Sequence, residues 1–266
     1  MASASGRLAG QVAIVTGAGS VGEGFGTGKA ISVLFARAGA RVVLVDRDAS
    51  RADDTRCLIE EEGGEAAIVV ADIAEPSSWE RIVDTVVDRF GTVDVLVNNA
   101  ALANTIGILD TDLDDLQAII AVNLVAPFML SKAVIPVMVR GGGGVDHLHL
   151  VGGGAARAGW CRSHRVRGDE IRSERHDRRS GRRVRSQRDP REYDRSRPHH
   201  HAAPGAAPRR PGSRRSELPS RGQTCLGIEG ESWDVAHAAL FLASPERQYL
   251  TGVVLPVDGG SIARSH

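Results

Sequence analysis

Short apolar runs alternate with segments of helical periodicity over the first 140 residues. Four runs rich in Val, Ile, Leu and Ala end in, or are followed by, Gly, Asp or Asn, and they predict buried strands at 11–16, 41–46, 66–71 and 93–98. Apolar residues at helical spacing predict helices at 28–38, 51–62, 76–90 and 113–138, the last one bent or interrupted by Pro127 and Pro136. Strands this apolar, separated by helices, predict a single α/β domain with a doubly wound parallel sheet.

The pattern stops after residue 144 and resumes near the end of the chain. Residues 232–243 predict an amphipathic helix, and 253–257 predict a last strand that precedes an Asp-Gly-Gly turn. Between Trp160 and Cys225 the only residues of Val, Leu, Ile or Met type are Val166, Ile171, Val184 and Leu218. Too little apolar surface is available there for a core, so we expect residues 145–225 to be irregular or disordered.

The formal net charge of zero hides three differently charged parts. Residues 1–144 contain 11 Lys and Arg and 19 Asp and Glu, whereas residues 145–225 contain 20 basic and 9 acidic residues. The remainder of the chain contains 2 basic and 5 acidic residues. The basic segment suggests nucleic-acid binding as an alternative function, but it has neither helical periodicity nor interleaved aromatic residues. Cys161-x-x-His164 and the histidines at 199–201 come with no folded ligand set, so we expect no metal site.

The three cysteines, Cys57, Cys161 and Cys225, are odd in number and far apart, which indicates a reducing compartment without a disulfide framework. The N-terminal residues lack the apolar core of a signal peptide. We find no run of about 20 apolar residues that would span a bilayer. These observations predict a cytoplasmic protein that does not partner a membrane.

A glycine-rich stretch joins the first predicted strand to the first predicted helix. Such a turn lets the backbone approach a pyrophosphate, and the helix N-terminus then offers N–H donors and a positive dipole end. The candidate pyrophosphate-binding residues are Gly17, Ser20, Gly24, Phe25 and Gly26, the last three forming a G-x-G step into the helix.

Asp46 ends the second predicted strand, 20 residues beyond Gly26. That separation is typical of an acidic residue that binds the ribose hydroxyls of a dinucleotide. The carboxylate would repel a 2′-phosphate, so the sequence favours NAD over NADP as cofactor. The neighbouring Arg47 would weaken that preference.

These motifs resemble, in order and spacing, those of the short-chain dehydrogenase/reductase family. The further matching positions are Asp72-Ile73, Asn98-Asn99-Ala100-Ala101, Asn123 and the C-terminal Asp-Gly-Gly. The glycine loop is about three residues longer than the family pattern, and Ala101 replaces the usual glycine. The resemblance covers residues 8–140 and 226–262 of one domain spanning 8–262.

The resemblance implies a Rossmann-like fold and NAD(P)-dependent hydride transfer to or from a small carbonyl or alcohol substrate, such as that of a 3-oxoacyl-carrier-protein reductase. It also implies a homodimer or homotetramer. By the same resemblance, Asp72 and Ile73 contact adenine, and Asn99, Ala100 and Ala101 support the sheet and the cofactor. Asn123 is the catalytic-type residue, which helps to hold a proton-relay water.

The family's reaction also needs a Ser and a Tyr-x-x-x-Lys, and this chain has neither in place. Its two lysines, Lys29 and Lys132, do not lie four residues after Tyr193 or Tyr249. We therefore predict little or no dehydrogenase activity for the chain as written. A dinucleotide-binding protein without catalysis and a non-functional product are the alternatives.

A shifted reading frame accounts for the middle of the chain. One set of codons for residues 145–152, read one base later, encodes Ser-Ile-Ile-Ser-Ile-Ser-Ser, and codons for 165–172 in that frame encode Ala-Tyr-Gly-Ala-Thr-Lys-Ser. The first resembles the family's serine strand, and the second contains Tyr-x-x-x-Lys. We hypothesise that residues 141–225 are out of frame through compensating changes in the gene or in its recorded sequence.

Overall fold

A computed structural model describes residues 6–22, 24–103, 107–142, 146–151, 159–164 and 225–261. The strands are β1 (Val12–Thr16), β2 (Arg41–Asp46), β3 (Glu65–Val70), β4 (Val95–Asn98), β5 (Asp146–Val151), β6 (Gly159–His164) and β7 (Val254–Val257). The helices are α1 (Thr27–Arg37), α2 (Ala49–Glu61), α3 (Pro76–Phe90), α4 (Leu113–Ile120), α5 (Ala126–Arg140) and α6 (Ser232–Ala243). A π-helical turn, Ala121–Val125, joins α4 to α5, and a short 3₁₀ turn, Pro245–Arg247, follows α6.

The strands form one sheet in the order β3-β2-β1-β4-β5-β6-β7, and β1 to β5 are parallel to one another. Successive side chains of a strand point to opposite faces of a sheet. Accordingly, Val12 and Ile14 of β1 pack with α3 and α5, whereas Ala13 and Val15 pack with α1 and α6. The doubly wound α/β fold predicted from the apolar runs is confirmed.

The prediction that residues 145–225 are irregular is wrong for two segments, β5 and β6. β5 pairs parallel with β4, and β6 pairs antiparallel with both β5 and β7. In β5, Leu148 and Leu150 alternate with His147 and His149, a short strand pattern inside a segment of polar overall composition. β6 has no such pattern, but a ladder is built from backbone N–H and C=O groups, so β6 can still join the sheet. The remainder of 145–225, except Cys225, lies outside the described residues.

One continuous helical segment runs from Leu113 to Arg140 through α4, the π turn and α5. Pro127 has no N–H to donate to the carbonyl of Asn123, so the regular ladder fails one turn earlier. Within the π turn, the Ala126 N–H binds the Ala121 carbonyl, five residues back. The predicted interruption at Pro127 is therefore present, whereas Pro136 lies inside α5.

The same helical segment leaves an apolar stripe exposed, made of Leu113, Leu116, Ile120, Leu124 and Phe128, with Leu124 65% and Phe128 68% exposed. By length and composition alone the segment could cross a membrane, and 22% of its most apolar window is buried. The prediction that no stretch is long and apolar enough for a membrane span is therefore wrong.

Candidate functional site

The carboxyl ends of β1, β2 and β4 meet at one edge of the sheet, where the glycine loop (residues 17–26) crosses from β1 to α1. Gly17 begins the loop in a left-handed conformation, with φ of 63°, and its N–H donates to the Val45 carbonyl at 2.8 Å. A Cβ at this position would lie 2.8 Å from the Ala100 Cα. Both conditions require glycine at position 17.

Asp46 at the end of β2 holds the first half of the loop. Its Oδ2 accepts a hydrogen bond from the Gly19 N–H at 2.9 Å, and its Oδ1 accepts one from the Asp48 N–H at 3.0 Å. A Cβ on Gly19 would come within 2.5 Å of the Arg51 Cβ, so the loop lies directly on the start of α2. Arg47 is exposed beside this carboxylate.

The second half of the loop faces open space. A Cβ on Gly22 or Gly24, both with positive φ, would meet nothing within 4 Å. The Gly26 N–H returns to the Ser20 hydroxyl at 3.0 Å. Phe25 is 40% exposed and its ring packs against Trp233 of α6.

The N-terminus of α1 is open to an anionic group. Gly26 is the N-cap residue and provides no side-chain hydrogen bond to the helix, and the first turn contains no acidic residue. Amide donors of a first helical turn that lack capping partners attract phosphate and carboxylate groups. The helix start lies directly against the loop, because a Cβ on Gly28 would be 2.0 Å from the Gly17 carbonyl oxygen.

A buried hydrogen-bond cluster ties β1 to the segment after β4. The Asn99 side chain donates to the carbonyls of Thr16 and Gly17, both at 2.9 Å. The fully buried Thr16 hydroxyl accepts from the backbone N–H groups of Asn99 at 3.0 Å and Ala100 at 3.1 Å. Ala100 packs against the core, and Ala101 is exposed.

Asp72 and Ile73, after β3, differ in their surroundings. Asp72 is exposed and its carboxylate accepts a hydrogen bond from the Ala74 N–H at 2.9 Å. Ile73 is buried in the core with Trp79, whose indole N–H donates to the Ile73 carbonyl at 2.8 Å. Only the carboxylate of this pair is presented to solvent.

Asn123 lies in the π turn and faces the segment that follows β4. Its Oδ1 accepts from the Leu102 N–H at 2.8 Å, and its Nδ2 donates to the Leu102 carbonyl at 2.9 Å. Both ends of the amide therefore bind protein backbone. In this arrangement Asn123 fixes the segment that follows β4.

An ion pair lies on the outer side of α1. Arg37 donates to both carboxylate oxygens of Glu62, at 2.7 and 2.6 Å. This hydrogen bonding lowers the pKa of Glu62 and raises the pKa of Arg37. Both side chains are more than a third exposed, so solvent screens the interaction.

Several contributors at this edge carried no signal in the sequence. The sequence predicts Gly28 only as the start of a helix. The buried Thr55 hydroxyl on α2 donates to the Ala18 carbonyl at 2.9 Å. Ser232 and Trp233 reach the loop from more than 200 residues away in the chain. Such contacts depend on how distant elements dock, which spacing along the sequence does not reveal.

The described residues contain no group of three His, Cys, Asp or Glu side chains that could hold a metal ion. The histidines at 199–201 lie outside the described residues, and of Cys161 and His164 only the backbone of β6 is described.

A family model described as short chain dehydrogenase matches residues 11–145, about half of the chain. The chain belongs to the short-chain dehydrogenase family. This oxidoreductase family uses NAD or NADP as cofactor.

Relatives of this short-chain dehydrogenase act on different substrates. The 2,5-dichloro-2,5-cyclohexadiene-1,4-diol dehydrogenase of Sphingobium indicum is 30% identical over 268 residues, with 96% of this chain and 97% of the relative covered. The 3-oxoacyl-[acyl-carrier-protein] reductase of Thermotoga maritima is 30% identical over 272 residues, with 96% and 99% covered. An uncharacterized oxidoreductase of Thermotoga maritima is 40% identical over 136 residues, and that match spans 51% of each chain.

The fold is also found in solved structures. A protein of Burkholderia xenovorans assigned to the short-chain dehydrogenases/reductases superposes with a TM-score of 0.69 at 27% identity, covering 98% of this chain and 100% of that one.

Proposed function

We propose that this chain binds NAD at the edge formed by β1, β2 and β4, and that it does so without appreciable turnover. The observation that carries the proposal is the uncapped N-terminus of α1, which follows the glycine loop and lies at the same edge of the sheet as Asp46. Glycines at 17, 19 and 28 let loop, helix and strand approach one another, and those at 22 and 24 leave the outer side free for a ligand.

The preference for NAD over NADP rests on the charge at the end of β2. The Asp46 carboxylate is held in place by two backbone N–H groups, so it stays at the position where ribose hydroxyls are bound in this fold. A 2′-phosphate there would meet a like charge. Arg51 is engaged with Asp48, and Arg47 is the exposed cation that would weaken the discrimination.

The reaction of the family is hydride transfer between nicotinamide and a carbonyl or alcohol carbon. We place the substrate of the functional lineage in that class, since the relatives act on a cyclohexadiene diol and on 3-oxoacyl groups. A free phenol has a pKa near 10, and a neighbouring ammonium favours the phenolate needed for proton transfer. Tyr249 is fully exposed and has no lysine four residues later in the sequence, so it lacks the neighbouring ammonium that would favour its phenolate.

A frame change remains our account of that loss. The family match ends at residue 145, next to the position where the shifted frame would begin. Identity is 40% in an alignment that covers half of the chain and 30% in alignments that cover nearly all of it. The nucleotide sequence across codons 140–226 tests this, because codons that do not encode Tyr-x-x-x-Lys when read one base later contradict it.

Calorimetry with NADH and NADPH tests the cofactor proposal. We expect NADH to bind more tightly than NADPH, and Asp46→Asn to weaken NADH binding by about tenfold through loss of a charged hydrogen-bond acceptor. Asp53→Asn, which removes an exposed carboxylate on α2, is the matched control and should bind as the unaltered chain does. Failure of mass-verified protein to bind either nucleotide would overturn the proposed cofactor binding. NADH-linked turnover of a 3-oxoacyl thioester would overturn the prediction that the chain is inactive.

We also propose that the apolar stripe is covered by a second copy of the chain, consistent with a cytoplasmic protein. Five large apolar side chains on one helical face form a patch that water-exposed monomers rarely keep. A two-fold axis would let the stripe pack on itself. Leu124→Glu should yield monomers in light scattering, and Ala118→Glu, at an exposed position of the same helix outside the stripe, should not. Vesicle binding of the unaltered chain in place of dimerisation would contradict the proposal.

A further inference from the structure

The glycine loop is attached to the C-terminal part of the chain through Phe25. The Ser232 hydroxyl, at the start of α6, donates to the Phe25 carbonyl at 2.6 Å. The Trp233 ring lies 4.9 Å from the Phe25 ring, centroid to centroid, at an interplanar angle of 47°. That distance and tilt fall in the range of favourable aromatic pairs.

Two cations of α1 complete the arrangement. The Lys29 ammonium lies 5.4 Å from the centroid of the Phe25 ring, and the Arg37 guanidinium lies 5.2 Å from that of Trp233. Both distances suit cation–π attraction. We call Lys29, Phe25, Trp233 and Arg37 the aromatic clamp; it joins the loop, α1 and α6.

The clamp is fixed at its α6 side by the capping of that helix. Asp234 accepts a hydrogen bond from the Glu231 N–H at 2.7 Å, in a reciprocal capping box that sets the first turn. Ser232 and Trp233 lie within this turn. The capping box therefore fixes the backbone that carries both side chains.

The outer half of the loop needs an external support of this kind. Gly22 and Gly24 have open space around them, and glycine has the largest backbone freedom of any residue. The inner half is held separately, through the Gly17 N–H on Val45 and the Gly19 N–H on Asp46.

We infer that Ser232 and Trp233 are positioning residues for the outer half of the glycine loop, so that docking of α6 and binding of the dinucleotide pyrophosphate are thermodynamically coupled. The first part concerns the protein alone; the second rests on the proposed function. Because coupling between two sites is reciprocal, bound NADH should also slow opening of the first turn of α6.

Hydrogen exchange of the cofactor-free protein tests the positioning role. In Trp233→Ala, and more weakly in Ser232→Ala, the Gly26 amide should exchange about tenfold faster, while the Gly17 amide is unchanged. Phe90→Ala is the matched control, since Phe90 is also a partly buried aromatic with two arginines at 5.3 and 5.2 Å, but lies at the end of α3. The inference is wrong if the Gly26 amide exchanges at the same rate in Trp233→Ala as in the unaltered chain, or if the Gly17 and Gly26 amides are accelerated equally.

Affinity measurements test the coupling. Trp233→Ala should raise the Kd for NADH about tenfold, equivalent to about 1.4 kcal/mol. Trp233→Phe, which keeps an aromatic ring, should retain most of the affinity of the unaltered chain. An unchanged Kd in Trp233→Ala overturns the coupling. If the unaltered chain ignores NADH, the proposed function fails and the coupling with it, while exchange at Gly26 still decides whether α6 positions the loop.

Discussion

The hydroxyl of Thr16 offers the sharpest test of how the sheet edge formed by β1, β2 and β4 is held together. Thr16 is fully buried, and its oxygen accepts hydrogen bonds from the backbone N–H groups of Asn99 and Ala100 while donating to the Val97 carbonyl at 3.3 Å. Thr16→Val keeps the shape of the side chain and removes all three bonds. The backbone N–H groups cannot move away, because β1 and β4 are paired in the sheet.

The expected loss follows from these contacts. Each hydrogen bond contributes about 1 kcal/mol net, and a donor left without a partner costs about 1–3 kcal/mol. The Asn99 N–H also reaches the Val97 carbonyl at 3.1 Å, so the larger cost falls on Ala100. We expect Thr16→Val to lower the free energy of unfolding by about 2 kcal/mol.

Urea unfolding followed by fluorescence measures this loss. With a slope of about 2 kcal/mol per molar urea, the midpoint should fall by about 1 M. Thr16→Ser keeps the hydroxyl and loses one methyl, so it should cost about 1 kcal/mol or less. If the valine variant is no less stable than the serine variant, the hydroxyl does not hold the edge and the reasoning is refuted.

Two further substitutions test other parts of the molecule. Gly28→Ala places a Cβ 2.0 Å from a carbonyl oxygen of the glycine loop, so it should lower the free energy of unfolding in urea by about 3 kcal/mol. Gly107→Ala should be tolerated, because the new Cβ would lie 3.7 Å from its nearest atom. Glu62→Gln should cost about 0.5 kcal/mol at pH 7, since the pair with Arg37 is largely exposed. Because the folded-state pKa of Glu62 is lowered, this contribution to stability is present above the unfolded pKa near 4.5 and disappears as the pH falls through the folded value. The pairing is contradicted if the stability difference between Glu62→Gln and the unaltered chain does not change with pH, or if Glu61→Gln loses the same stability.

The first half of the fold was readable from the sequence because its strands are buried on both faces. Continuous apolar runs such as 41–46 have one interpretation when glycines and helical periods flank them, and β2 spans those same residues. Pro127 likewise marked a true break in the helix, since a missing N–H acts locally.

The contacts that complete the edge were not readable, because they are made across the sheet. Nothing near Ser232 in the sequence indicates that its hydroxyl binds the Phe25 carbonyl. β5 was missed because the polar average composition of residues 145–225 hides the local alternation of Leu148 and Leu150 with two histidines. β6 has no such apolar pattern, and its pairing with β5 and β7 is made through the backbone. The predicted roles of the individual site residues stay predictions that the binding experiments address.

The π turn has a consequence for the outer surface of its helix. In a regular α-helix, side chains spaced by four residues drift sideways by about 40° at each step, since a turn takes 3.6 residues. A turn closed by a bond five residues back contains more residues and takes up part of that drift. Ile120, Leu124 and Phe128 flank and cross this turn, so we expect them to lie closer to a straight row than they would in a regular α-helix. The proline that interrupts the helical hydrogen bonding thereby also bears on the shape of the exposed row beside it.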